Sequence, residues 1–222
     1  MKSLNEQAIE LIQKGELEEA LKKLNEQIEK SPEDPAAYIN FGNVLARFNE
    51  VEKAERFYQK AITLDEKAGA AYYALANLYY TQERFKEAAV LYEKAIKSGL
   101  EDHDAYFMLG MSFMNNEQTK LAVPYLQRAA ELTPEDAEVH FQYGLSLAKL
   151  EHGSEAVTQL KRAVELDLEH ADALYNLGVA YAGFEENAEA ALDCFEKAIK
   201  VQPDHYLALN GRKIIQQAID SE

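Results

Sequence analysis

The chain has 222 residues, 47% of them hydrophobic, with 39 acids against 23 bases and a formal net charge of −16. A surface this acidic repels phosphate backbones and anionic headgroups, which argues against nucleic acid and membranes as partners. A single cysteine, Cys194, excludes an internal disulfide, and no stretch approaches the 18 apolar residues of a membrane span.

In chain order, residues 1–34 predict two helices about Gly15. The first is amphipathic with acids throughout; it is neither a secretory signal nor a span, so a cytoplasmic protein is expected. Gln7 and Gln27 stand where later units carry apolar or small residues, as suits a terminal repeat whose outer side faces water. From here the pattern recurs every 34 residues, with units at 1–34, 35–68, 69–102, 103–136, 137–170 and 171–205. The eighth position is always small: Ala8, Gly42, Ala76, Gly110, Gly144 and Gly178. So is the twentieth (Ala20, Ala54, Ala88, Ala122, Ala156 and, after a one-residue insertion, Ala191), and Ala61, Ala95, Ala129, Ala163 and Ala198 hold the twenty-seventh. The eleventh is large: Leu11, Leu45, Tyr79, Phe113, Leu147 and Tyr181. Small beside large brings two helix axes close without voids. Pro124 falls early in the second helix of unit four, where its missing N–H is expected to cost little. No Gly/Ser linker interrupts the units. Residues 206–222 form a closing helix and tail, with Ala208, Ile215, Ala218 and Ile219 toward the last unit and Arg212, Lys213, Gln216 and Gln217 toward water.

These residues in register resemble the tetratricopeptide (TPR) family over about residues 1–205, and AVPYLQRAAEL (122–132) resembles the small six-repeat bacterial proteins of the YrrB type. The resemblance implies an all-α fold, a right-handed solenoid of stacked helix-turn-helix repeats with a C-terminal capping helix. It also implies a protein–protein interaction scaffold rather than an enzyme.

At 100° per residue, positions 4, 7, 8 and 11 of each first helix form the core stripe, and positions 3 and 10 meet the preceding unit. Positions 2, 5, 9 and 12 form a further stripe, which in the TPR family lines the concave groove where ligands bind. The candidate groove residues are Asn40, Asn43, Tyr73, Asn77, Tyr80, Phe107, Met111, Met114, Phe141, Leu145, Tyr175 and Val179. Tyr73, Phe107, Phe141 and Tyr175 would form an aromatic ladder, and Phe107, Met111, Met114 and Phe141 an exposed apolar patch suited to a partner. Acids at position 2 (Asp104, Glu138, Asp172) and before the first helices (Glu33, Glu101, Glu135, Glu169, Asp204) complement helix N-termini and place a negative rim beside this floor. The partner expected is therefore a protein segment with apolar anchors and some basic residues. Lys2, Arg47 and Lys149 lie too far apart in the array for a carboxylate clamp.

Catalytic signatures are missing: there is no phosphate-binding glycine loop, HExxH, nucleophile elbow or Cys-x-x-Cys. Glu101, Asp102, His103 and Asp104 are consecutive rather than converging, so no metal or cofactor is expected. His170 and His205 occupy equivalent turns, and none of the histidines has the partner expected of a catalytic base. An adaptor that holds a peptide or helix of another protein is the leading reading. The alternative is an end-to-end self-assembler, against which the polar ends argue; a monomer with at most weak self-association is expected.

Overall fold

The computed structural model describes residues 2–221, which form thirteen α-helices and, among the described residues, no strand. The helices are α1 (Leu4–Lys14), α2 (Leu17–Lys30), α3 (Pro35–Arg47), α4 (Val51–Leu64), α5 (Gly69–Thr81), α6 (Phe85–Lys97) and α7 (His103–Asn115). They continue with α8 (Thr119–Leu132), α9 (Ala137–Lys149), α10 (Gly153–Leu166), α11 (Ala171–Phe184), α12 (Ala188–Val201) and α13 (Tyr206–Ile219). The fold is an all-α helical repeat. The chain packs as two compact units, Met1–Ser112 and Phe113–Glu222, with the boundary inside α7. In the first unit α1/α2, α3/α4 and α5/α6 form hairpins laid side by side; in the second α9/α10 and α11/α12 do so, with α13 against α12 and α11. Among the described residues no helix is long and apolar enough to cross a membrane.

Some helix starts are capped by short polar side chains. Ser3 accepts from the Glu6 N–H while Glu6 accepts from the Ser3 N–H, a capping box that starts α1. Asp34 and Asp136 cap α3 and α9 in the same sense, accepting from Ala36 and Val139. Each hairpin turn closes through one left-handed residue: Gly15 in the first, then Asn49, Glu83, Glu117, Glu151 and Glu186, with φ between 51° and 62°. The residue after each donates to the carbonyl five or six positions back, as Glu50 does to Leu45 at 2.9 Å and Arg84 to Tyr79 at 2.9 Å. That satisfies the last helical carbonyls, which is why the chain accepts a glutamate where glycine is the easier residue.

The small positions are the contact points. All six at position eight and all six at position twenty are buried, and Ala61, Ala95, Ala129, Ala163 and Ala198 are fully so. A β-carbon on Gly42 would stand 2.5 Å from the Tyr58 ring, one on Gly144 2.8 Å from Leu160, and one on Gly178 2.7 Å from Phe195. Those large partners share position twenty-four with Leu24, Tyr92 and Leu126, a buried column of which the spacing argument reached only Phe195. Burial of each contributes roughly 1.5–3 kcal/mol. Ala37, Val44, Ala71, Leu78, Val139 and Ser146, at positions three and ten, are likewise buried.

Two local expectations change. Pro124 is the sixth residue of α8 rather than an early one, so it removes a bond that Lys120 would otherwise accept, yet the helix continues through it to Leu132. In α13, Ala208 is buried and Ile215 and Ile219 half-buried, but Ala218 is exposed; Gly211 instead lies under the Phe195 ring, where a β-carbon would sit 2.9 Å away. Arg212, Lys213, Gln216 and Gln217 are exposed.

Candidate binding clefts

In the first unit, α3 and α5 lie side by side and present position-nine asparagines, Asn43 and Asn77, into one cleft of about 610 Å³. Asn40, Arg47 and Tyr73 complete its polar lining; Ile39, Ala46, Ala70, Ala74 and Leu78 supply apolar wall. The asparagines are held from behind. The Tyr58 hydroxyl donates to Asn43 Oδ1 at 2.9 Å, and the Tyr92 hydroxyl donates to Asn77 Oδ1. Both tyrosines are buried, and desolvation pushes their hydroxyls well above the usual phenol range, so they stay protonated donors. Tyr73 packs edge-on to Tyr92 with centroids 5.7 Å apart, and burial also raises its hydroxyl above the usual phenol range. Asn40 donates to Asn5 at 2.8 Å, and Arg47 donates to the Ile12 carbonyl at 3.1 Å, capping the end of α1. The position-twenty-four tyrosines were missed in the sequence, as were Asn5, Ala70 and Ala74. The tyrosines' signal was available: Tyr58 and Tyr92 each follow an asparagine by fifteen residues.

The apolar part of the expected floor is largely occupied by the protein itself. Phe141 is 7% exposed and belongs to the core with Leu160, Ala173 and Leu177. The reason is that the His170 ring, from the turn before α11, lies over it with centroids 4.6 Å apart. Phe141 is thus a packing residue, which corrects its place in an exposed patch. Phe107 and Met111 in the first unit, and Met114 and Leu145 in the second, are half-buried, as is Tyr80, whose ring meets Phe85 edge-on at 5.2 Å. Tyr175 is half-buried between Phe195 and His205, at 5.8 and 5.3 Å; among the candidates Val179 alone is exposed, at 44%.

His170 and His205 do have acidic partners, contrary to expectation. His205 Nε2 lies 3.1 Å from Asp172, and His170 Nε2 3.5 Å from Glu138, each acid at the second position of the unit the histidine closes. The other nitrogen of each ring accepts a backbone N–H, from Ala208 at 3.1 Å and Ala173 at 3.2 Å. Nδ1 thus caps the helix that follows, while Nε2 reaches back to the acid near the start of the preceding helix pair. Asp102, His103 and Asp104 also converge after all, with ligand atoms within 4.8 Å of one another. Two of the three are exposed, and His103 already stands 3.2 Å from each carboxylate. Cys194 is 5% exposed, and burial pushes its thiol up to about 11, so it is an inert apolar group at neutral pH.

A second cleft, of about 370 Å³, lies between α11 and α13 in the second unit and is lined by Tyr175, Val179, Gly183, Phe195, Leu207 and Ile214 among others. Leu207 and Ile214 are 52% and 56% exposed. The spacing argument treated α13 only as a cover and did not bring these residues to the site.

A family model described as tetratricopeptide repeat matches residues 73–137 and 141–203, and another of the same description matches residues 11–62. No curated protein matches the chain. Among solved structures it is similar to YrrB, described as a TPR protein with an unusual peptide-binding site. The identity is 47% and the TM-score 0.80, over 86% of this chain and 97% of that one. It also matches PilF of Pseudomonas aeruginosa (19% identity, TM-score 0.78, 97% and 96% of the two chains) and MamA (20%, 0.72, 78% and 93%), which bear on the fold alone. Family matches over most of the sequence, and a relative of nearly half identity, agree with the buried small positions: the chain belongs to the tetratricopeptide-repeat family.

Proposed function

We propose that the protein is a non-enzymatic adaptor, residues 1–205 forming six repeats closed by 206–222, that holds a segment of a partner protein. The observation that carries this reading is the first-unit cleft, where Asn43 and Asn77 are oriented by buried tyrosines. With each Oδ1 accepting from a tyrosine, each amide keeps N–H donors for a carbonyl of the ligand. Two fixed donors on adjacent first helices suit the main chain of an extended peptide, because little side-chain entropy remains to be lost on binding. Arg47 and the apolar wall add a charged edge and a place for a side chain. YrrB, the 47% identical relative, is described as having a peptide-binding site, and this supports a peptide ligand here.

The test is a capture experiment from a cell lysate with cross-linking and peptide mapping, wild type beside Asn43→Ala/Asn77→Ala. The expected result is one or a few protein segments retained by the wild type and lost from the double variant at unchanged helicity. Identical capture by both would reject the cleft as the site.

A further inference from the structure

Positions 4, 7, 8 and 11 of a first helix form its core stripe, and in α11 these are Leu174, Leu177, Gly178 and Tyr181. There α12 covers the stripe: Leu174 clusters with Ala198, Leu177 with Cys194, and Gly178 lies against Phe195. The same positions of α13 are Leu209, Arg212, Lys213 and Gln216. Among the described residues no helix comes after α13 to cover them. With Gln217, and with Glu196 of α12, they line a cleft of about 540 Å³, in which Leu209 is half-buried and the rest are exposed. A stripe left to water can carry either sign, and this chain is acidic. Yet α13 holds two bases and no acid, a balance that no other helix shows. Lys213 also takes the position that is small in all six units, so whatever lies here meets a long cation instead of approaching closely.

We propose that this cleft is a docking site for one acidic amphipathic helix of a partner protein, which takes on α13 the place that α12 holds on α11. Its carboxylates pair with Arg212 and Lys213, and an apolar side chain meets Leu209. Arg212 offers a planar fork that a carboxylate engages with two hydrogen bonds, and Lys213 a movable point charge. Neither base has an ion-pair partner among the described residues. The neighbouring charges leave that sign in place. Glu196 is the one acid in the lining, and Asp220 accepts from the Gln216 amide at 2.9 Å. On α12, Asp193 and Lys197 pair with each other at 2.6 Å, and Lys200 follows Glu196 by one turn. Arg212, Lys213 and Lys200 against Glu196 and Asp220 leave one positive charge, in a chain whose net charge is −16. A second copy would bring that whole negative charge to the approach, whereas a single acidic helix brings only the carboxylates the cleft can use.

The probe is a fluorescein-labelled synthetic helix of about 16 residues, with a leucine stripe flanked by glutamates on an alanine background. Its binding to the full chain is read by anisotropy. Two controls carry glutamine for glutamate, or the same residues scrambled. The glutamate helix should bind at least fivefold more tightly than either control, and raised salt should narrow the gap. Arg212→Gln/Lys213→Gln should remove the preference at an unchanged melt, since both side chains are exposed. Asn43→Ala/Asn77→Ala should leave it unaltered, which separates this site from the first-unit cleft. No binding by the wild type, equal binding of the controls, or an undiminished preference in Arg212→Gln/Lys213→Gln would overturn the proposal. So would sedimentation showing a wild-type dimer that the same double change dissociates, since the occupant would then be a second copy.

Discussion

At the residue scale, Phe141 and Phe107 hold the same position in successive repeats and have different surroundings. Phe141 is 7% exposed against His170 and Leu177, whereas Phe107 is half-buried. Phe141→Ala should therefore cost about 3–5 kcal/mol, and Phe107→Ala distinctly less. Denaturant melts of the two variants side by side check this, and equal losses would show that exposure does not distinguish the sites. A second residue-scale feature is the glutamate in the hairpin turns. Glu83 adopts φ 59°, a left-handed conformation that costs a residue with a β-carbon roughly 1–2 kcal/mol. Glu83→Gly removes that strain but adds freedom to the unfolded chain, so a net gain of about 0.5–1 kcal/mol is expected. Glu151→Gly should add to it, since the two turns share no partners. A loss of stability in either variant would mean that the glutamate side chain contributes something its backbone conformation conceals.

At the element scale, α11 and α13 start on histidines that also reach back to the preceding helix pair. His205 caps α13 through Nδ1, contacts Asp172 through Nε2 and lies on Tyr175, three roles on one 6% exposed ring. His205→Ala should cost about 0.5–2 kcal/mol for the cap alone. His205→Asn keeps a capping oxygen and should recover part of it. Amide exchange over Ala208–Leu209 locates the effect: protection should fall in the alanine variant and return in the asparagine variant. If both variants behaved alike, the acid and ring contacts, not the cap, would dominate. The same geometry explains why acids at position two serve more than helix polarity. Asp172 and Glu138 each receive the histidine that closes their own unit and caps the next helix, so one carboxylate favours its own helix start and ties down the following one.

At the scale of the whole molecule, 16 excess negative charges repel one another in the folded chain. Surface pairs such as Lys97–Glu93 and Arg128–Glu131 are exposed neighbours on single helices and offset little of this. Raising sodium chloride from about 0.01 to about 0.15 M shortens the screening length from about 30 to about 8 Å. The melting temperature should rise by a few degrees over that range. A fall would show that the helix-surface pairs outweigh the net repulsion.

The sequence by itself determined the repeat, its period and the small positions, because close helix contact tolerates so few residue types that their spacing survives in the letters. Ala88, Gly144 and Ala198 are buried where the register placed them. Helical phase also brought Asn43, Tyr73 and Asn77 to one face, and they line one cleft. What phase cannot convey is what a neighbouring element lays over that face. Phe141 and Val179 are separated by one repeat and four residues of register, yet His170 covers the first while the second stays 44% exposed. The tyrosine props behind the asparagines and the histidine links between repeats were decided only by tertiary structure, because each depends on where the next helix comes to rest.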